Sequence, residues 1–219
     1  MSVVIFVLGL PGSGKSAASR HIEKFSKENK WVPQRFKDYE ILYNMYQNDE
    51  EGNRFSSTYD RGYDGFDVHD LSAFDEALIE LERRVSQRPE LTESAKELII
   101  IEFSRDDYCK ALSFFITYNL QNAHFLFIDA DIDTCIKRIK YRADHPKTSD
   151  DRYVSEYIFE FYYQRDHRDY LNSVAVQLQE QFGIHKNSIQ VIHNGPTVSE
   201  QRYYEEVKAF ATSILMPKA

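Results

Sequence analysis

The chain has 219 residues, 42% of them hydrophobic, and a formal net charge of −8. That much apolar material excludes a disordered chain, and the acidic balance argues against a broad nucleic-acid footprint, which needs clustered Lys and Arg. The length suits one compact α/β domain carrying an inserted acceptor region or lid.

Cys109 and Cys135 are the only cysteines and form no Cys-x-x-Cys pair, so two free thiols in a reducing cytoplasm are expected. Residues 3–8 are apolar, but no basic residue precedes them and a Gly-rich loop follows, which does not read as a secretion signal. No apolar run approaches the ~18 residues of a membrane span. A soluble, cytoplasmic protein without membrane partners is expected, of open oligomeric state.

In chain order, residues 3–8 are a short β-branched apolar run and predict a buried parallel strand. A helix over 15–29 follows, with Ala18, Ile22 and Phe25 on one face. Residues 31–36 predict a weaker strand, and Pro33 places it at a sheet edge because proline cannot donate to a ladder. A helix over 38–47 turns Ile41, Leu42 and Met45 inward. The stretch 48–67 reads as a polar loop with Gly52, Gly62 and Gly65; its aromatics Phe55, Tyr59, Tyr63 and Phe66 point to a functional loop. Asp70 or Ser72 caps a helix that carries Phe74, Ala77, Leu78, Leu81 and Val85. Residues 98–101 form a strand ending at Glu102, residues 104–118 a helix, and residues 125–128 a strand ending at Asp129. A helix over 132–142 leads into a polar loop, 143–151, with Pro146. Residues 152–182 read as a long helical stretch broken near 166–169 and ended by Gly183. The last strand covers 189–192, and Asn194-Gly195-Pro196 turns into a final helix.

Strands alternating with helices predict a three-layer α/β fold, a parallel sheet of five strands with helices on both faces. Ligands on such sheets bind beyond the carboxyl ends of the strands. Gly9, Asp38, Glu102, Asp129 and His193 all fall there.

The chemistry is carried by Gly9-Leu10-Pro11-Gly12-Ser13-Gly14-Lys15-Ser16, which satisfies the G-x-x-x-x-G-K-S pattern of a phosphate-binding loop between strand and helix. With Gly near ~7% of residues, chance produces this pattern in only about one chain in a hundred of this length. Gly9, Gly12 and Gly14 let backbone N–H groups converge on one concavity, with Pro11 and Ser13 completing the loop. Lys15 offers a cation to the β- and γ-phosphates, the helix behind it aims its positive end at them, and the Ser16 hydroxyl suits Mg²⁺. Glu102 ends the most apolar strand and suits a metal-bound water or acceptor orientation. Arg105 either holds a phosphate or pairs with an acid. Asp38 is placed either to take a proton from an acceptor hydroxyl or to cap a helix. Arg138 and Arg142 lie four apart on one helix, so they share a face; with Lys137, Lys140, Lys147 and Arg152 they make 137–152 a candidate lid. Tyr153, Tyr157 and Phe161 repeat every four residues, as packing positions do.

With these residues in place, the chain resembles the P-loop kinases of the nucleoside and nucleotide kinase group (adenylate kinase-like), within the P-loop nucleoside triphosphate hydrolase superfamily. The phosphate loop is similar to theirs, Cys135 to Arg142 resembles their lid helix, and Ile101 to Tyr108 resembles their acid-plus-arginine signature, with Phe103 and Ser104 separating Glu102 from Arg105. His193-Asn194-Gly195 resembles their adenine-side loop. The resemblance implies the strand order 2-3-1-4-5, ATP and Mg²⁺ as cofactors, and Asn194 and Gly195 beside the nucleotide. It implies a single kinase-like domain over 1–219; residues 38–70, which match no acceptor site of that group, are the candidate acceptor-binding region.

The sequence thus points first to an ATP-dependent kinase that transfers the γ-phosphate to a small acceptor such as a nucleoside or nucleotide. Two alternatives stay open: a regulatory or switch ATPase without a small acceptor, and a kinase of nucleic-acid ends or of a sugar nucleotide.

Overall fold

An alternation of apolar strands and amphipathic helices organises the computed structural model, which describes residues 1–59, 62–89, 91–92, 94–116, 118–146, 153–163, 165 and 167–217. The first half runs β1 (Ser2–Gly9), α1 (Lys15–Glu28), β2 (Trp31–Lys37), α2 (Asp38–Gln47), β3 (Phe55–Ser57), β4 (Phe66–Val68) and α3 (Ser72–Ser86). The second runs β5 (Lys96–Phe103), α4 (Tyr108–Leu112), β6 (His124–Asp129), α5 (Ile132–Asp144), α6 (Glu156–Phe161), α7 (His167–Phe182), β7 (Ile189–His193) and α8 (Glu200–Leu215).

Five strands form one parallel sheet in the order β2-β5-β1-β6-β7. Counted over these strands alone, the order is 2-3-1-4-5; the hairpin strands β3 and β4 shift the numbering. Pro33 sits on β2 at the sheet edge, where a missing donor breaks no interior ladder.

Side chains alternate across a strand, so β1 feeds two cores. Ile5 and Val7 join Leu98, Ile100, Leu126 and Ile128 under Ile22 of α1 and Val207 and Phe210 of α8. Phe6 and Leu8 face the other way, with Ile99, Ile101, Phe125 and Phe127, against Leu78 of α3, Leu112 of α4 and Val174 of α7. Both central flanking strands are buried on both faces, which explains their unbroken apolar runs.

Several sequence expectations need correction. The stretch 48–67 is more than a loop: β3 and β4 pair antiparallel, Phe55 opposite Val68 and Ser57 opposite Phe66. Phe55 and Phe66 are buried edge-to-face at 5.6 Å, so the aromatics that suggested a functional loop also form a small core of their own. The helix expected over 104–118 is only α4, Tyr108–Leu112, capped by Asp107 accepting from the Lys110 N–H at 2.9 Å. Apolar periodicity continued past it because Phe115 and Leu120 are buried in a turn and a short 3₁₀ segment. The stretch 152–182 divides into α6 and α7; Arg152 and Asp166 lie outside the described residues. Leu71 is the first cap residue of α3, while Asp70 accepts from the Ser72 N–H at 3.0 Å. Tyr153 precedes α6 and stacks on Tyr63 at 4.3 Å, whereas Tyr157 and Phe161 pack on each other and Phe161 stays exposed.

Candidate active site

β1 delivers the phosphate loop at its carboxyl end. Gly12 has φ +81°, and a Cβ there would lie 2.5 Å from the Cys135 carbonyl oxygen, so both conformation and space require glycine. Gly14 has φ +113° and is the cap residue of α1; no side chain caps that helix, which leaves its first N–H groups to the loop. Lys15 is buried, and its Nζ donates to the Leu10 carbonyl at 2.8 Å. Burial lowers its pKa to about 8, against the pull of Glu102 and Asp38.

The Ser16 hydroxyl donates to Glu102 Oε1 at 2.5 Å, so β5 and α1 bring together the two residues expected at a metal. The other oxygen of Glu102 accepts from Arg35 Nη2 at 2.7 Å and Nε at 3.2 Å. Parallel pairing sets Lys37 opposite Glu102, and Arg35, two residues earlier, shares that face of β2. A hydroxyl and a carboxylate are hard oxygen donors, and Mg²⁺ keeps waters and phosphate oxygens as its other ligands, so this pair fits the ion.

Asp38 opens α2 and pairs with Arg105, Nη1 to Oδ2 at 2.5 Å, both buried. Burial raises the Asp38 carboxyl above its ordinary range while the Arg105 guanidinium opposes the rise. Arg105 also donates to the Phe74 carbonyl at 2.7 Å and lies 5.1 Å from the Phe74 ring. Of the two readings of Arg105, pairing with an acid is what the geometry gives.

On α5, Arg138 donates to the Asn194 carbonyl at 2.9 Å and approaches the Ser13 carbonyl at 3.4 Å. Asn194 in turn donates to the Ser13 carbonyl at 2.7 Å, so the β7 loop and α5 brace the phosphate loop from one side. Lys140 points elsewhere, to an ion pair with Glu156 of α6. Lys147 lies, like Arg152, outside the described residues.

These groups border one cavity of about 680 Å³, the size of a small-molecule site. Pro11, Gly12, Gly14, Lys15 and Ser16 line it, as do Asp38, Glu102, Arg105, Lys137, Arg138 and Arg142. Gly9, Ser13, Asn194 and Gly195 do not line it; Asn194 acts on it through the loop, and a Cβ on Gly195 would meet nothing within 4 Å. Asp129 and His193 also reach the sheet's carboxyl edge but pair with each other at 2.7 Å, away from the cavity. Sequence reasoning missed Arg35 and the buried Asp67, which accepts from the Ser155 hydroxyl; of the apolar wall of Tyr39, Leu42, Phe66, Val68, Phe74, Ile158 and Tyr163 it tied only Phe66 to function, as an aromatic of a functional loop. For Arg35 the signal was the alternation of β2, readable only once its register with β5 is known.

No protein-family model matches the sequence, and no curated protein matches it. Solved structures do match in shape. The APS kinase from Mycobacterium tuberculosis, solved in complex with AMPPNP and APS, superposes with a TM-score of 0.52 at 12% identity, covering 95% of this chain and 96% of that one. The chain has the P-loop kinase fold. Two further solved structures match at lower TM-scores. Shikimate kinase from Acinetobacter baumannii gives a TM-score of 0.45 at 8% identity, over 98% of this chain and 94% of that one. A gluconokinase from Sinorhizobium meliloti gives 0.46 at 12%, over 98% and 93%. Among the described residues no helix is long and apolar enough to cross a membrane.

Proposed function

We propose that the protein is a Mg²⁺- and ATP-dependent phosphotransferase that moves the γ-phosphate to a hydroxyl of a small acceptor. The observation that carries this reading is the single cavity in which a complete phosphate loop, the Ser16–Glu102 pair and the buried Asp38–Arg105 pair all take part. A switch ATPase would use the first two of these as well; the Asp38–Arg105 pair on the cavity wall is the feature that favours an acceptor.

In this reading Lys15 holds the β- and γ-phosphate oxygens, and Ser16 and Glu102 hold the metal. Mg²⁺, when bound, neutralises charge on the phosphate oxygens. Arg138, braced with Asn194 and next to Gly195, borders the nucleotide, and Arg142 faces the transferred group. Asp38 takes the proton of the acceptor hydroxyl as that oxygen bonds to the γ-phosphorus; the bond from this phosphorus to the bridging oxygen breaks, and ADP leaves with the electron pair. Burial supports Asp38 in this role, since a raised pKa makes a carboxylate a better base. Residues 38–70 and 153–163 serve as the acceptor region, and the segment 137–152 as the lid.

The test is ADP release measured with and without a panel of hydroxyl acceptors. Acceptor-dependent release that Lys15→Ala abolishes is expected. Basal hydrolysis that no acceptor changes would instead identify a regulatory ATPase.

A further inference from the structure

The cavity has two kinds of surface. The phosphate loop, Glu102, Asp38 and Arg105 give it one polar region. Facing that region, Tyr39 and Leu42 of α2, Phe66 and Val68 of β4, Phe74 of α3, Ile158 of α6 and Tyr163 after it build a mostly apolar wall, while Lys37, Ser104 and the α5 residues Lys137, Arg138 and Arg142 also line the cavity. Leu42, Phe66, Phe74, Ile158 and Tyr163 are each less than a tenth exposed, so their packing is fixed before any ligand arrives. Tyr39 and Phe66 hold each other at 5.7 Å, and Phe74 stacks on Tyr162 at 4.4 Å. One acid on this side, Asp67, already has a protein partner in the Ser155 hydroxyl.

A polyhydroxylated acceptor needs a partner for each hydroxyl, because a buried polar group left unbonded costs about 1–3 kcal/mol. Against rings and aliphatic side chains such an acceptor loses its water without replacement. An acceptor with an apolar ring loses nothing there and gains from every contact. We infer that the acceptor is a molecule with an apolar, ring-bearing body and a hydroxyl presented to Asp38, rather than a sugar or other polyol. This rests on the phosphotransferase reading above, and narrows it by the chemistry of the wall.

The probe pair is benzyl alcohol and myo-inositol, each a six-membered ring with hydroxyl. Both are titrated by ligand-observed NMR against the full chain, with and without Mg²⁺ and AMPPNP, and soaked into crystals to locate them. Benzyl alcohol is expected to bind at least ~10-fold more tightly, with density beside Phe66 and Phe74. The isosteric Val68→Thr, which places a hydroxyl in this buried wall, is expected to weaken benzyl alcohol binding several-fold in a chain that still folds, with a melting temperature lower by several degrees. Equal or tighter binding of inositol, binding of benzyl alcohol only elsewhere, or binding of neither probe would overturn the inference. AMPPNP binding, measured separately by calorimetry, reports on the phosphotransferase reading: its loss while benzyl alcohol still seats in the cavity would count against that reading and leave the wall chemistry standing.

Discussion

Lys15 carries the highest stakes of any single residue. Lys15→Ala removes the cation of the loop, and Mg-ATP binding by calorimetry should fall to background. Its pKa of about 8 sets a pH dependence with a definite sign. Phosphates bind the protonated amine, so affinity is kept below about pH 8 and falls above it, by at most tenfold per unit. Calorimetry from pH 7 to 9.5 should show that slope in the wild type; an affinity that does not change across this range would count against a role for the Lys15 charge. Glu102 poses a different question, because one oxygen meets Ser16 while the other is held by Arg35. Arg35→Met should raise the Mg²⁺ concentration needed for half-maximal turnover by about 10–100-fold, as loss of a partner behind a metal ligand does, and Arg35→Lys should recover part of it. An unchanged Mg²⁺ titration in Arg35→Met would show that the arginine only fills the sheet edge. Lys15 and Ser16 were legible because their roles follow from local spacing. Glu102 and Asp38 were legible as strand-end carboxylates. Arg35 and Asp67 were not, because each acts through a partner 67 or 88 positions away, and no local pattern encodes such a pair.

Elements bring these residues together, and α5 shows how a shared helix face can divide its work. The spacing of Arg138 and Arg142 suits one lid device. Both line the cavity, and Arg138 in addition donates to the Asn194 carbonyl and approaches the Ser13 carbonyl. Arg138→Ala should therefore raise KM for ATP, and Arg142→Ala should lower kcat by ~10³ with little change in KM, as expected for an arginine that meets charge in the transition state. Steady-state kinetics on both single variants decides it; equal losses of both kinds would return the pair to one function. The contact of the phosphate loop with α5 makes a second test. In Gly12→Ala the new methyl meets the Cys135 carbonyl at 2.5 Å on a backbone with φ +81°, so the loop must move. Nucleotide affinity should drop at least ~10-fold by calorimetry. The hairpin β3–β4 escaped sequence reading for an element-scale reason. Strands of three residues give no alternation to read, and the pairing of Phe55 with Val68 joins positions thirteen apart across an irregular connection.

At the scale of the whole molecule, the sheet divides the interior into two cores, and most of this was legible because buried parallel strands announce themselves as unbroken apolar runs. Ile100 lies on β5 between β1 and β2 and is fully buried. Ile100→Ala should cost about 2–5 kcal/mol, a fall of roughly 4–20 °C in Tm at about 2–4 °C per kcal/mol. A Tm within 2 °C of wild type would mean the core on that side relaxes into the gap. The arrangement of the cavity wall bears on how such a protein diverges. Its apolar residues come from α2, β4, α3 and α6, all of them outside the five-stranded sheet, whereas the phosphate loop and Glu102 are ends of the sheet's own strands. Descendants of this chain could therefore exchange one accepted compound for another by substituting wall positions alone, with the sheet and its nucleotide machinery inherited unaltered.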